Sequence, residues 1–357
     1  MKLHTRKKLY EELKKLTDIR IHKHKIKYPI EQITLMIFFA NLQGANDLED
    51  IHTWMLCNIK NKYLLKIFKV KKVNIPSYSS LYRIYQNIDI FELEDIFREY
   101  FKEETQNQNI SIDGKWLNGS DVNGVYTKQK HSAILNVLDK DKNITIAHKF
   151  MGFNLKKELN LYKNSYNGEK KSERKVFLVT LDENIYNNEI QQVFTFDALY
   201  SIGGVLNKLN EENKKYIAKI KGNSGKYKQE VINITNEAIL KPNEFNIETL
   251  VEETTEHNTY VQRKIEVITS KSCSLLIYNE KYKNIQTIIK VTKHSDRNLK
   301  PIIYYYIANF IDQVSSFYKN IIEHWKIETY HYHLDKLTKE DNHIMYTNPF
   351  VMSRSIP

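Results

Sequence analysis

The sequence is short of cysteine and has no long hydrophobic run, and each shortage excludes a class of protein. Its two cysteines, Cys57 and Cys273, lie far apart and fit neither a disulfide framework nor a paired metal motif, which favours a reduced, cytoplasmic setting. The longest apolar stretch, residues 33–40, is interrupted by Thr34 and is too short for a membrane-spanning helix, which needs about 20 apolar residues. The charged N-terminus does not match a secretory signal. We therefore expect a soluble protein with no membrane partner.

Positive charge is what the sequence has in excess. Lys and Arg number 54 against 43 Asp and Glu, which gives a net charge of +11 and an isoelectric point near 9.2. Residues 1–27 hold ten Lys or Arg and three Asp or Glu, and residues 60–72 hold six lysines interleaved with Tyr63 and Phe68. Such charge favours the binding of polyanions, because lysines and arginines that neutralise phosphates release the counterions condensed on them. A solvated surface on a lysine-rich protein explains the same charge equally well.

The length and the hydrophobic pattern divide the chain into two or three parts. Domains usually hold about 100–200 residues, so a chain of 357 residues suggests two or three of them. The first hundred residues show helical spacing with capping signals and no strand alternation. The predicted helices there are residues 30–42 with Gly44 as the stop, a second helix after Asn46 or Asp47, residues 78–88 behind Pro76 and Ser77, and residues 91–101.

From Asn109 onward, strands alternate with helices, which indicates an α/β sheet covered by helices. The predicted strands are residues 109–116, 132–137, 144–150, 176–179, 193–196 and 216–220, with a loop or insertion at 154–174 and a helix at 203–213. Residues 222–298 contain alternating strands, as an antiparallel β insertion would. An apolar run at 302–310 and one long helix at 314–335 follow.

Two of the predicted strands lead into an aspartate. Asp113 follows Ile112 and Asp197 follows Phe196, although Asp is depleted from strands. Ligands of α/β sheets bind outside the carboxyl ends of strands, so both acids can face one site. Taken alone, each aspartate is also explained as the cap of a turn or of the next helix.

A third carboxylate, Glu328, lies in the predicted C-terminal helix. Helical spacing puts it on one face with Trp325 and Tyr332. We expect Trp325 to be packed in the core beside it, and the alternative is that Trp325 stacks on an unpaired base. A carboxylate in such an aromatic stripe is costly to bury unless it is paired or binds a metal. The alternative is a glutamate at the wet edge of the stripe, paired with His324 four residues earlier.

Three acids from two strands and a helix would form an all-oxygen site for Mg²⁺ or Mn²⁺. Two such ions about 3.5–4 Å apart can activate a water or a 3′-hydroxyl and stabilise the leaving oxygen of a phosphodiester. That chemistry needs no protein nucleophile, which suits a sequence without a glycine-rich phosphate loop or a Gly-x-Ser-x-Gly motif. No zinc-site spacing connects the histidines of the C-terminal region, His324, His331, His333 and His343.

Five stretches resemble, in the right order, the DDE transposases of bacterial insertion sequences, in the branch of the H-repeat-associated proteins. They are ISIDGKWLNGS with Asp113, FTFDALYSIGGVLNKL with Asp197, YIAKIKGNSGKY with Lys221, Gly222 and Asn223, HNTYVQRKIEV with His257 and Arg263, and HWKIETYHYHLDKLTKED with Glu328. The N-terminal helices resemble the leading domain of that family.

The resemblance implies an α/β protein with an RNase H-like catalytic core and an antiparallel β insertion, preceded by a small all-helical domain. The implied divisions are a basic helical domain for DNA binding or assembly at 1–105, the first part of the core at 106–223, the β-rich insertion at 224–299, and the last part of the core, with the catalytic-glutamate helix, at 300–357.

The resemblance also implies the roles of individual residues. Asp113, Asp197 and Glu328 would be the catalytic residues and would hold Mg²⁺ or Mn²⁺, as two ions. The implied DNA-binding residues are Lys115, Lys221, Asn223, Arg263 and His324. The implied partners are the DNA ends of the element and its target, bound by a homodimer in the cytoplasm, on the bacterial nucleoid.

Four positions depart from the family pattern. Asn118 stands where an Arg is usual, Asn258 and Thr259 replace Gly-Arg, and Ile322 replaces an Arg six residues before the glutamate. The missing cations would have touched phosphates. Two other functions therefore stay open: a catalytically inactive or truncated relative that only binds DNA, and a stand-alone metal-dependent nuclease that cuts DNA without joining it.

Overall fold

The chain folds into a helical N-terminal domain and a mixed α/β region built on one nine-stranded sheet. The computed structural model describes residues 3–20, 23–45, 47–101, 109–117, 132–151, 170–182, 192–221, 225–256, 258–272, 277–279 and 282–337. Within these ranges, no helix combines the length and the apolar character that crossing a membrane requires.

The N-terminal domain is a set of helices around a core of their own. The helices are α1 (Leu3–Leu13), α2 (Ile30–Leu42), α3 (Leu48–Cys57), α4 (Lys62–Phe68), α5 (Tyr78–Asn87) and α6 (Ile90–Phe101), with a 3₁₀ turn at Lys23–Lys25. Their buried side chains include Leu9, Leu13, Ile33, Met36 and Leu81. The last helix, α6, also contacts the sheet, where Glu94 pairs with Lys149 at 3.4 Å.

Local capping signals fix where these helices begin and end. Asp47 caps α3 by accepting a hydrogen bond from the Asp50 amide at 2.8 Å, and Ser77 caps α5 by accepting one from the Ser80 amide at 3.4 Å. Gly44 follows α2 with a φ of +91°, which a residue with a side chain rarely adopts. The helix boundaries predicted from these residues are confirmed.

The sheet combines parallel and antiparallel strands. Its strands are β1 (Asn109–Leu117), β2 (Ser132–Asp139), β3 (Ile144–Met151), β4 (Val193–Phe196), β5 (Lys215–Lys219), β6 (Phe245–Glu256), β7 (Thr259–Ser270), β10 (Thr287–Ser295) and β11 (Asn298–Ala308). The spatial order is β3-β2-β1-β4-β5-β11-β10-β7-β6. Strand β4 is parallel to β1 and to β5, and the other neighbouring pairs are antiparallel. A separate two-stranded sheet contains β8 (Ile277–Asn279) and β9 (Tyr282–Ile285).

Helices cover the two faces of the sheet. Side chains of α7 (Lys170–Asp182), α8 (Gly203–Glu211) and α9 (Gly225–Leu240) share a core with one set of alternating strand residues, which includes Ile112, Phe196 and Ala218. The opposite face carries α10 (Val314–Glu323), whose Phe317 and Ile321 pack with Ile217 and other strand residues. Helix α11 (Lys326–Leu337) follows α10 and contacts β1 on that same side.

Four of the predicted elements are wrong or incomplete. Residues 176–179 belong to helix α7 and not to a strand. A short apolar run does not distinguish a buried strand from a buried helix, and here Val176, Phe177 and Leu181 are buried at helical spacing. Helix α7 also begins at Lys170, inside the stretch predicted as a loop or insertion.

The region predicted as a β insertion begins with a helix, α9. Its long strands are antiparallel, as expected, but they continue the main sheet through hydrogen bonds between β10 and β11. The predicted helix at 314–335 is interrupted at His324 and Trp325. At this point the Trp325 and Ile327 amides donate to carbonyls only three residues back, at 3.2 Å each, which tightens the chain between α10 and α11.

Candidate active site

The two predicted aspartates lie side by side on neighbouring parallel strands. Ile112 pairs in register with Phe196, so Asp113 and Asp197 follow at the same level of β1 and β4. Strand β1 continues to Leu117 in its pairing with β2, whereas its register with β4 ends at Ile112. The sheet therefore opens at the two aspartates. Their side chains are 28% and 53% exposed, respectively.

Glu328 reaches the same place from the first turn of α11. The break between α10 and α11 decides its position, because α10 is held on the sheet by buried Phe317 and α11 by buried Ile327. Near a helix N-terminus, the backbone dipoles favour a negative charge. Glu328 itself is exposed.

One cleft brings the three predicted carboxylates together. Its lining consists of Asp113, Thr195, Phe196, Asp197, Ile217, Lys219, Tyr306, Ile321, His324, Trp325 and Glu328. The cleft thus lies where β1, β4 and β5 face the junction of α10 and α11.

The charges around the cleft influence one another. Desolvation and the negative charge of Asp197 raise the pKa of Glu328, and the positive charge of Lys219 partly offsets this. The ammonium of Lys219 lies 3.6 Å from Asp197 Oδ1. Two carboxylates that repel each other at the mouth of a cleft form a site where a divalent cation would be favoured.

Asp113 has a histidine neighbour on α11. His331 Nδ1 lies 3.7 Å from Asp113 Oδ2, and His331 Nε2 lies 2.8 Å from the Asn136 amide nitrogen. Because an amide nitrogen can only donate, Nε2 accepts and Nδ1 carries the proton that faces the carboxylate. His331 therefore lies beside Asp113 on the side of α11, with its N–H towards the carboxylate.

The chemistry of the donors suits Mg²⁺ or Mn²⁺, since all three are carboxylates and hard divalent cations prefer oxygen ligands. Within the described ranges, however, no three Asp, Glu, His or Cys side chains approach closely enough to hold a single ion. The carboxylates line the cleft without converging on one point, and the Lys219 ammonium lies beside one of them. The three residues therefore fit a divalent cation in the type and the charge of their donor atoms.

The residues predicted to bind DNA do not form one group. Lys221 is exposed just after β5, and His324 lines the cleft. Lys115 is buried and paired with Asp335. Arg263 is also buried, on β7, with Glu256 as its ion-pair partner, and β7 is three strands away from β5. Asn223 lies outside the described residues.

His324 is not a cation at neutral pH. Its Nδ1 lies 3.1 Å from Thr195 Oγ1. In the described part of the chain, the His324 ring makes no hydrogen bond to Glu328. Desolvation, and next the positive charge of Lys140, lower the pKa of His324 to about 3. The interpretation of His324 as the partner of Glu328 is therefore wrong, and any contact with DNA would come from a neutral imidazole.

The predicted packing of Trp325 is also wrong. Its side chain is 52% exposed, and that of Tyr332 is 58% exposed. The break after α10 turns this stripe away from the core, and Ile327 is buried in its place. Trp325 is thus an exposed aromatic surface on the edge of the carboxylate cleft.

Several residues of the site are not among those predicted from the sequence. Lys219 is detectable in principle, since strand alternation from buried Tyr216 and Ala218 puts Lys219 on the face of the cleft. A buried lysine such as Lys140 or a hydroxyl such as Thr195 leaves no sequence signal, because its role depends on contacts between distant segments.

The comparison with known families adds evidence from a different part of the chain. Residues 10–101 match the family model described as DDE_Tnp_1-associated, which spans the N-terminal helices from within α1 to the end of α6. This match supports the assignment to a DDE transposase family of insertion sequences, and it does so without using the three carboxylates. No curated protein matches the chain at a significant level.

Proposed function

We propose that this protein is a DDE transposase that cuts and joins DNA at the ends of an insertion sequence. The observation that carries the proposal is a single cleft lined by Asp113, Asp197 and Glu328, which come from two neighbouring strands and a helix. The family match of the first domain is independent support. The order from β3 to β5, an antiparallel meander followed by two parallel strands, is in keeping with an RNase H-like core.

In this proposal the three carboxylates would hold two Mg²⁺ or Mn²⁺ ions. When bound, the ions would activate a water or a 3′-hydroxyl and stabilise the leaving oxygen of a phosphodiester. The chain itself would hold the carboxylates in place, with His331 beside Asp113. Lys219 neutralises Asp197 in the metal-free protein, and it would turn towards a DNA phosphate once a cation takes over that role.

Binding of DNA would draw on the basic charge of the chain. Exposed Lys221 lies just beyond β5, close in sequence to Lys219 at the cleft, where it can reach a backbone phosphate. Exposed Trp325 offers a stacking surface for an unpaired base beside the carboxylates. As the family resemblance implies, the protein would act as a homodimer on the two DNA ends, on the nucleoid of a bacterial cell.

The test is Mg²⁺-dependent cleavage and joining of a labelled DNA that carries the flanking ends of the gene. Wild type is compared with Asp197→Asn and Glu328→Gln, which keep the shape of each side chain and remove its charge. Both variants should still bind the DNA, and their cleavage rate should fall by at least about 100-fold. Loss of a residue that only orients a metal ligand already costs up to about 100-fold. Glu237→Gln, at a half-exposed position of helix α9, is the matched control and should cut like wild type.

Other outcomes would point to the alternatives. Wild-type protein that binds the ends without cutting them in Mg²⁺ or Mn²⁺ would identify a DNA-binding relative and refute the proposed function. Cleavage without strand joining would identify a nuclease.

A further inference from the structure

A buried lysine lies behind the carboxylate cleft. Lys140 follows β2, and its side chain is fully buried. Its ammonium donates to Thr195 Oγ1 at 3.1 Å, to Asn320 Oδ1 at 3.0 Å and to the Asn320 carbonyl at 3.3 Å. These three acceptors match the three N–H groups of an ammonium. None of them is a carboxylate, so the contact is not an ordinary ion pair.

The acceptors belong to the elements that carry the site. Thr195 lies on β4, two residues before Asp197 and on the same side of the sheet, and its hydroxyl also lies 3.1 Å from His324 Nδ1. Asn320 lies in the last turns of α10. Lys140 thus joins the strand of one carboxylate to the end of the helix that precedes another.

The backbone of the same residue reaches the other side of the helix break. The Lys140 carbonyl accepts from Lys326 Nζ at 2.9 Å, and Lys326 is the first residue of α11. Lys326 also pairs with Glu323, the last residue of α10, at 3.1 Å. Residue 140 therefore contacts both the end of α10 and the start of α11, the turn in which Glu328 lies.

From these contacts we infer that Lys140 and Thr195 form a clamp that positions Glu328 relative to Asp197. Lys140 is a positioning residue and would touch neither metal nor DNA. The clamp holds the junction of α10 and α11 on β4, so that the third carboxylate faces the other two across the cleft. This inference rests on the proposed function for its metal-binding role and on the contacts alone for its structural role.

Mn²⁺ binding to the intact protein, measured by calorimetry, tests the clamp. Lys140→Met keeps the length of the side chain and removes its three donors, and Thr195→Val removes the hydroxyl while keeping the shape. Both should bind Mn²⁺ about 10- to 100-fold more weakly, the range for loss of residues that orient metal ligands. DNA affinity should stay close to wild type, and both variants should still unfold in one cooperative transition. Thr195→Ser should restore Mn²⁺ binding, and Lys142→Met, on the exposed turn beside Lys140, should leave it unchanged.

The result that would overturn the clamp is Mn²⁺ binding within about twofold of wild type in both Lys140→Met and Thr195→Val. If Lys140→Met does not fold, the pair Thr195→Val and Thr195→Ser decides the question. If wild type itself binds no Mn²⁺, the proposed function fails, and amide hydrogen exchange then tests the clamp by itself. Lys140→Met should accelerate exchange in α11 while leaving α9 unchanged, and equal exchange in α11 would refute the clamp.

Discussion

Lys140 and His324 are titratable side chains whose charge state is set by the fold. Desolvation lowers the pKa of Lys140 to about 7, and the negative charges of Glu323 and Asp141 only partly oppose it, while Lys326 and Lys319 add to the lowering. The positive charge of Lys140 in turn helps to lower the pKa of neighbouring His324. Two groups that would ordinarily compete for the same hydroxyl, Thr195 Oγ1, are thus kept from being charged together at neutral pH.

Stability should depend on pH through Lys140. Its pKa is about 7 in the folded chain against an ordinary value of 10.5 in the unfolded chain. Between these values the unfolded state binds the proton more readily, so the contribution of Lys140 to the free energy of unfolding rises with pH. The slope approaches about 1.4 kcal/mol per pH unit. Urea unfolding of wild type and Lys140→Met at pH 7.5 and 9, both inside this window, should reveal a rise in wild type that the variant lacks.

The control is Lys142→Met, whose lysine is exposed. This variant should keep the wild-type pH dependence. Parallel pH dependences for wild type and Lys140→Met would contradict the lowered pKa of Lys140.

At the scale of elements, the break between α10 and α11 decides which side chains are core and which are site. Phe317 is fully buried and packs on the sheet together with Ile321. Trp325, only a few residues later, is half exposed at the cleft. A single straight helix would have kept them on nearby faces, whereas the break separates a packing segment from a segment that faces ligand.

Alanine substitutions should separate these two roles. Phe317→Ala should lower the free energy of unfolding by about 3–5 kcal/mol, because it leaves a cavity in the core. Trp325→Ala should change it by no more than about 0.5 kcal/mol, as at other surface positions. Urea unfolding measures both, and filter binding of DNA with single-stranded ends measures the loss of stacking in Trp325→Ala. A larger destabilisation by Trp325→Ala than by Phe317→Ala would restore the core role that the sequence predicts for Trp325.

The sequence predicts elements well where the signal is local. Asp47, Ser77 and Gly44 mark helix ends through bonds and dihedral angles that involve adjacent residues, and these boundaries are confirmed. The helix α7 could not be predicted, since its short apolar run fits a strand equally well without knowledge of the sheet it covers. The residues around the break after α10 contact Thr195 and Lys140, which are distant in sequence.

The same distinction applies to the site. The three carboxylates were found from motifs, and the fold brings them to one cleft. Their neighbours His331 and Asn136 have no periodic signal in the sequence, because they contact the site between a strand and a helix. Lys219 differs, since strand alternation alone puts it on the face of the cleft.

At the scale of the whole molecule, basic residues gather on the helical domain. A groove is lined by residues 18–20 and 25–30 on one side and by α5 on the other, and Lys25, Lys27 and Arg83 are exposed along it. Arg20, also in the groove, is instead bound to Asp18 and to the Tyr28 carbonyl. The exposed cations have the charge that a DNA backbone needs.

Removing two of these cations should weaken DNA binding for all sequences alike. The double variant Lys27→Ala with Arg83→Ala should reduce the slope of log affinity against log salt by roughly 0.9 for each phosphate that the protein no longer neutralises. Fluorescence anisotropy at several salt concentrations measures this slope. The matched double variant, Lys226→Ala with Lys241→Ala, removes two exposed lysines at the two ends of α9. This helix lies on the other face of the sheet from the cleft, so the variant should keep the wild-type slope. Equal slopes for both double variants would exclude the groove as a DNA-binding surface.

The pair of Glu94 with Lys149 fastens helix α6 to strand β3, and both side chains are largely buried. A duplex gripped by the first domain would therefore meet the cleft at a set distance along its axis. If the proposed function holds, the protein would then set the point of cleavage by its distance in base pairs from the bound site, and it would not need to read the sequence there. Lengthening the DNA between grip and cut would move the cut with the grip, one base pair for each base pair inserted.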